Sequence, residues 1–146
     1  MTNVWAIKVN ASDSPDFDEV LQKSLTDKSV GIGFGLHVPY HMTTQEQRRN
    51  IWEASSFSEK QINYRERMFN MLINELSEGD IVFLCKGKNK ILYRAIVCGN
   101  YYYDQSYVKL TKEGFVGLPH RIKIKNITKF SATVDDWNHM QTIYKL

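Results

Sequence analysis

Ile81-Val82-Phe83-Leu84-Cys85, Lys86-Gly87-Lys88-Asn89-Lys90, Ile91-Leu92-Tyr93-Arg94-Ala95-Ile96-Val97-Cys98: two apolar runs rich in β-branched and aromatic residues flank a polar turn holding glycine and asparagine. That pattern predicts a β-hairpin, and so a sheet that is antiparallel at least here. Further on, Arg121-Ile122-Lys123-Ile124-Lys125 alternates apolar and basic residues, the signature of a half-buried strand, and Phe130 continues it. Tyr101-Tyr102-Tyr103-Asp104 and Val108-Lys109-Leu110 lie between, and Val134 to Met140 reads as a short terminal helix.

Ahead of the hairpin the pattern changes. Val4 to Val9 reads as a first strand. Phe17, Val20, Leu21, Ser24 and Leu25 recur at helical spacing after a start offered by Ser12 or Ser14, Pro15 and the acids Asp16, Asp18 and Glu19. Ser29 to Gly35 is a strand with alternating glycines, which clear one face for close approach by another group. Leu36 to Met42 is loop. Thr43 or Thr44 opens a polar helix to about Ala54, with capping-box chemistry. Ser56 or Ser58 opens another, whose stripe is Ile62, Phe69, Leu72, Ile73 and Leu76. The expectation is one α+β domain over residues 1–146, with a β-sheet curled into a small barrel and helices around it.

The 146 residues are 42% apolar and 24% charged, which fits one globular domain and excludes disorder or a fibrous repeat. The apolar runs are too short for a membrane-spanning helix, and Met1-Thr2-Asn3-Val4-Trp5 lacks the features of a signal peptide. The expected setting is therefore cytoplasmic, with no membrane partner. Cys85 and Cys98 sit in apolar runs and read as buried thiols. The histidines His37, His41, His120 and His139 show no HExxH or zinc spacing, so neither a metal nor a cofactor is expected. No nucleophile motif specifies an enzyme.

Charge is uneven. Between Lys86 and Lys129 stand ten basic residues against two acidic ones, an excess of eight, so the rest of a chain of net +3 carries −5. Tyr93, Tyr101, Tyr102, Tyr103 and Tyr107 fall inside this stretch. Flat rings stack on unpaired bases while lysine and arginine hold phosphates. The same residues also suit an ordinary sheet with a solvated lysine face. In an alternating tyrosine run, at least one ring should point inward.

Four segments together resemble the EVE/YTH group of the PUA-like superfamily, and the target-recognition domains of modification-dependent, McrBC-type restriction systems. They are Trp5-Ala6-Ile7-Lys8-Val9-Asn10, Gly31-Ile32-Gly33-Phe34-Gly35, Glu78-Gly79-Asp80-Ile81-Val82-Phe83-Leu84, and Gly99-Asn100-Tyr101-Tyr102-Tyr103-Asp104 followed by His120-Arg121-Ile122-Lys123-Ile124. The resemblance implies a PUA-like pseudo-barrel and a pocket for a flipped base, a methylated adenine or cytosine, in DNA or RNA. It places Lys8 and Asn10 against the nucleotide, with Phe34 and Tyr102 or Tyr103 as aromatic walls. Trp5 and Trp52 are core residues or alternative walls. Lys88, Lys90, Arg121, Lys123 and Lys125 would face phosphates. In the relatives a tryptophan often follows the His-Arg motif, where this chain has Asn126-Ile127. The resemblance further implies a separate nuclease or NTPase subunit as a partner. Two other readings use the same residues: an RNA-acting enzyme or processing factor on a PUA/ASCH-like fold, for which His120 or Lys8 would be needed, and a protein-interaction domain.

Overall fold

The computed structural model describes residues 2–87, 89–112, 114–134 and 141–146. Along the chain run β1 (Val4–Lys8), α1 (Phe17–Asp27), β2 (Ser29–Ile32), α2 (Gln45–Ala54), α3 (Glu59–Asn70), β3 (Ile81–Lys86), β4 (Lys90–Tyr103), β5 (Val108–Thr111), β6 (Gly114–Gly117), β7 (His120–Thr133) and β8 (Ile143–Lys145). Six strands form one sheet in the order β2-β7-β4-β3-β1-β8, while β5 and β6 pair only with each other. Strands β1 and β3 are parallel, and every other pairing is antiparallel. The sheet curls into a half-barrel with helices at its periphery, the α+β architecture read from the sequence.

The expected hairpin is β3 and β4, with Val82 opposite Ala95 and a bulge between Leu84 and Cys85. Gly87 takes φ +65° in its turn, a conformation open to glycine. Side chains alternate between faces. Trp5, Ile7, Val82, Leu84, Ala95, Val97, Ile122 and Ile124 meet Trp52, Ile62, Met68, Phe69 and Leu72 of the helical segment in one core. Each such buried side chain contributes about 1.5–3 kcal/mol. Ala6, Cys85 and Ile91 form a smaller cluster with Phe83, Ala132 and Tyr144. Cys85 is buried as expected and its thiol is pushed up to about 12, chiefly by burial; Cys98 is only half-buried.

Caps follow the sequence closely. Thr44 and Gln47, then Ser58 and Gln61, form reciprocal capping boxes at α2 and α3. At α1 the structure differs. Asp16, not Ser12 or Ser14, stands at the cap, and its carboxylate accepts from the Ser14 hydroxyl and Asn10 instead of the helix amides. The strand expected over 29–35 ends at Ile32, because Phe34 (φ +54°) and Gly35 (φ +74°) turn the chain. The left-handed backbone costs a residue such as phenylalanine about 1–2 kcal/mol. Trp52 Nε1 helps hold it by donating to the Phe34 carbonyl at 2.8 Å. The cleared glycine face is real: a Cβ at Gly31 would run into the His120 carbonyl, and one at Gly33 into that of Gly117.

The buried carboxylate of Asp80 ties the sheet to its approach segments. It accepts from Trp5 Nε1 at 3.0 Å, Asn3 N at 3.1 Å and Ser77 N at 3.0 Å. Burial alone would raise its pKa, but these donors and Lys145 outweigh it and hold the carboxyl below its ordinary range. Trp5 is 0% exposed, so it is a core residue and not a pocket wall. Strand β7 runs on to Thr133, well past the alternating segment. The terminal helix expected up to Met140 falls on 135–140, outside the described residues. Among the described residues no helix is long and apolar enough to cross a membrane.

Candidate nucleic-acid interface

A groove of about 200 Å³ lies between the first half of α1 and the β5–β6 arm. That is below the ~300–1,000 Å³ of drug-sized pockets and suits a single ring system. Asn10 and Ser14 enter from the β1–α1 loop, Glu19 and Lys23 from α1, and Tyr107 and Lys109 from the opposite wall. Val20, Val116 and Leu118 supply apolar lining.

The groove's polar groups are interlocked. Asn10 Nδ2 donates to Asp16 at 3.1 Å, and the Asn10 carbonyl oxygen accepts from Ala11 N at 2.8 Å. Lys109 Nζ reaches across to Glu19 at 3.1 Å and Asp16 at 3.6 Å. The Ser14 hydroxyl, then Lys109 and Asn10, hold the Asp16 carboxyl below its ordinary range. The hydrogen bond to Glu19 raises the Lys109 ammonium above its own.

Tyr107 is the aromatic wall. Its hydroxyl donates to Asp27 at 2.8 Å. The Arg121 guanidinium carbon lies 3.8 Å from the centroid of the Tyr107 ring and the Lys23 ammonium 4.5 Å from the same centroid. Arg121 was expected to face phosphates, and the structure corrects this. It is 0% exposed, and it donates to Ser24 Oγ at 2.8 Å, Ser29 Oγ at 3.1 Å, the Ser29 carbonyl at 3.0 Å and the Leu118 carbonyl at 3.2 Å. With every nitrogen engaged and no solvent contact, its guanidinium fixes Tyr107 and cannot hold a phosphate.

Tyr102 is the register partner of Arg121, and Lys123 Nζ lies 5.0 Å from the Tyr102 ring centroid. Lys123 also donates to the Asp27 carbonyl at 3.4 Å. Lys123 and Lys125 are exposed, two residues apart on one face of β7. A chain of contacts therefore runs from the groove through Tyr107, Arg121 and Tyr102 to Lys123 of β7.

Other expected site residues lie elsewhere. Tyr101 and Tyr103, alternating with Tyr102, approach His120 instead; Tyr103 donates to the His37 carbonyl at 2.7 Å. Phe34 packs edge-on against Tyr64 and Phe69. Phe34, Tyr102 and Tyr103 thus do not converge on one cage. Trp52 is in the core. Lys8 pairs in register with Cys85 and does not line the groove; burial lowers its pKa. Lys90 is exposed at the far end of β4 from Tyr102, and Lys88 lies outside the described residues. Of the expected pocket residues, Asn10 alone lines the groove. In the sequence Tyr107 and Lys109 stand out only as members of the aromatic and basic stretch, and Asp16 and Glu19 only as helix-start acids. Nothing in their spacing announces that they meet, since Lys109 and Glu19 are far apart in the chain.

Among the described residues no group of three His, Cys, Asp or Glu side chains is placed to hold a metal. A family model described as a domain of unknown function (DUF8426) matches residues 5–146. No curated protein matches the sequence.

Proposed function

The chain belongs to that family of domains of unknown function, and we propose that it is a nucleic-acid-binding module that recognises a methylated adenine or cytosine flipped into the groove beside Tyr107. One observation carries this reading: a groove sized for one ring system and walled by Tyr107 is linked through Asp27 to Lys123, whose face of β7 also exposes Lys125. Extruding a base costs a few kcal/mol, and stacking on one aromatic ring returns about 1–3 kcal/mol. Lys23 covers part of Tyr107, but it is held there by an i,i+4 pair to Asp27 at 3.1 Å. The pair is worth about 0.3–0.5 kcal/mol and the cation–π contact about 0.5–1 kcal/mol, so a base that stacks on Tyr107, which is 6% exposed, first displaces Lys23 at a cost of about 1 kcal/mol.

The carboxylates select the base edge. Asp16 and Glu19 are acceptors in the groove, and adenine N6 and cytosine N4 carry amino donors. A singly methylated N6 amine keeps one N–H for them, while its methyl group meets Val20, Val116 or Leu118. Lys123 and Lys125 hold flanking phosphates.

The test is an anisotropy titration against matched DNA and RNA oligonucleotides, unmodified or carrying N6-methyladenine or 5-methylcytosine, at two salt concentrations. The expected result is preference for one modified oligonucleotide, with affinity falling as salt rises. Binding without preference would remove the base pocket and keep the basic face. No binding at low salt would remove the reading altogether.

A further inference from the structure

We infer that the β5–β6 arm is a wedge that enters a duplex beside the extruded base, so that this module takes its base from double-stranded nucleic acid. This rests on the reading just proposed. The arm is a two-stranded ribbon outside the main sheet. Leu110 is 73% exposed, Phe115 57% and Val116 44%. Leu110 and Phe115 form a small apolar patch on this element, with the Phe115 ring centroid 5.9 Å from that of His37. Leu110 and Phe115 are opposite each other in register, so they share one face; Lys109 and Val116 are the next pair and share the other, which walls the groove.

The arm is also fixed relative to the groove. At its root Gly117 (φ +146°) packs so closely that a Cβ would run into the Tyr107 carbonyl, and Gly33 packs as closely on the Gly117 carbonyl. Leu118 N donates to the Tyr107 carbonyl at 3.3 Å, and Lys109 ties the arm to α1 through Glu19. A rigid ribbon with an apolar face on one side and a base-sized groove on the other is the arrangement that extrusion from a duplex requires. The base that leaves opens a gap between stacked neighbours, and apolar side chains such as leucine and phenylalanine fill such gaps. The exposed Lys112 adds positive charge for a neighbouring phosphate. A single strand has no such gap, so Leu110 and Phe115 would have nothing to fill.

The test compares wild type with the Leu110→Ala/Phe115→Ala double variant. Both side chains are exposed, so melting temperatures should agree, and this is checked first. The probes are one strand carrying N6-methyladenine or 5-methylcytosine, alone and annealed to its complement, with 2-aminopurine beside the modified base. The expected result is loss of duplex affinity by about tenfold or more with unchanged single-strand affinity, and loss of the 2-aminopurine fluorescence rise that wild type produces in the duplex. If the variant binds both forms as wild type does, or loses both equally, the wedge is wrong while base recognition stands; the first of these results would assign the arm to a protein partner. If wild type binds neither form, base recognition itself fails and the wedge with it.

Discussion

The Tyr101 hydroxyl lies 2.7 Å from His120 Nδ1, and on the other side of the ring His120 Nε2 lies 2.7 Å from the Leu36 carbonyl. A carbonyl oxygen only accepts, so Nε2 carries the ring proton and Nδ1 takes the tyrosine hydrogen. The Tyr101 oxygen accepts in turn from Tyr40 N at 2.9 Å. One neutral imidazole thus fastens β7 to β4 and to the loop between β2 and α2. His120 is fully engaged by this work and packs 4.7 Å edge-on against Phe69.

The arrangement makes stability depend on pH. Burial, the largest effect, lowers the His120 pKa from its ordinary 6.5 to about 4. The unfolded imidazole therefore takes a proton near 6.5 and the folded one only near 4. Between those values the unfolded state binds more protons, so stability falls as pH falls. The contribution is complete above about 6.5, and about 3 kcal/mol of it is gone by about pH 4. Urea unfolding at about pH 7.5, 5.5 and 4 should show this slope in wild type and a shallower one in His120→Gln. An unchanged slope in the variant would mean that other groups carry the effect.

Arg121 should behave as a core residue. Lysine lacks the planar fork that reaches Ser24, Ser29 and Leu118 together and cannot stack on Tyr107 in the same way. Arg121→Lys is expected to cost about 2–4 kcal/mol, which thermal melting would register as a drop of roughly 5–15 °C. Lys123→Glu with Lys125→Glu should leave the melting temperature nearly unchanged, because both side chains are exposed. A stable Arg121→Lys variant with impaired phosphate binding would return Arg121 to the phosphate-binding surface.

The contrast between these residues marks how far the sequence could be read. Local chemistry is legible: the β3–β4 hairpin, the Thr44 and Ser58 boxes and the close approach at Gly31 all follow from a few neighbouring residues. Alternation places Arg121, Lys123 and Lys125 on one face of β7. It does not reveal that Ser24 of α1 and Ser29 of β2 cover only the first of them. The tyrosine run shows the same limit. Period two separates Tyr102 from Tyr101 and Tyr103, but only the fold puts His120 beside the latter pair. The groove joins residues 10–23 to residues 106–118, and no motif links Asn10 to the neighbours it meets there.

The basic face yields a prediction about salt. Each phosphate-bound lysine contributes about 0.7–0.9 to the slope of log affinity against log salt. Removing Lys123 and Lys125 should lower that slope by about 1.4–1.8, and weaken modified and unmodified oligonucleotides alike. Titrations at several salt concentrations with Lys123→Ala/Lys125→Ala give the number. A slope equal to that of wild type would move the phosphate path away from β7.

The groove's carboxylates make the opposite kind of prediction. Glu19 is an exposed residue whose Oε1 meets Lys109 Nζ at 3.1 Å, so Glu19→Gln keeps the shape and gives up only a surface ion pair. Its effect on stability should stay within about 1 kcal/mol. Removing a negative charge beside a phosphate backbone strengthens non-specific binding. Replacing a charged acceptor by a neutral amide weakens the hold on an N4 or N6 amino group. An unmethylated amino group offers Glu19 the same N–H, so the preference for the methylated over the unmethylated oligonucleotide should hold, while the preference for an amino-bearing base over thymine at the flipped position falls by about threefold to tenfold for one charge-assisted hydrogen bond. Titrating oligonucleotides with the amino-bearing base or thymine at that position separates charge from recognition, since an electrostatic effect alone would strengthen both together and leave their ratio where it was.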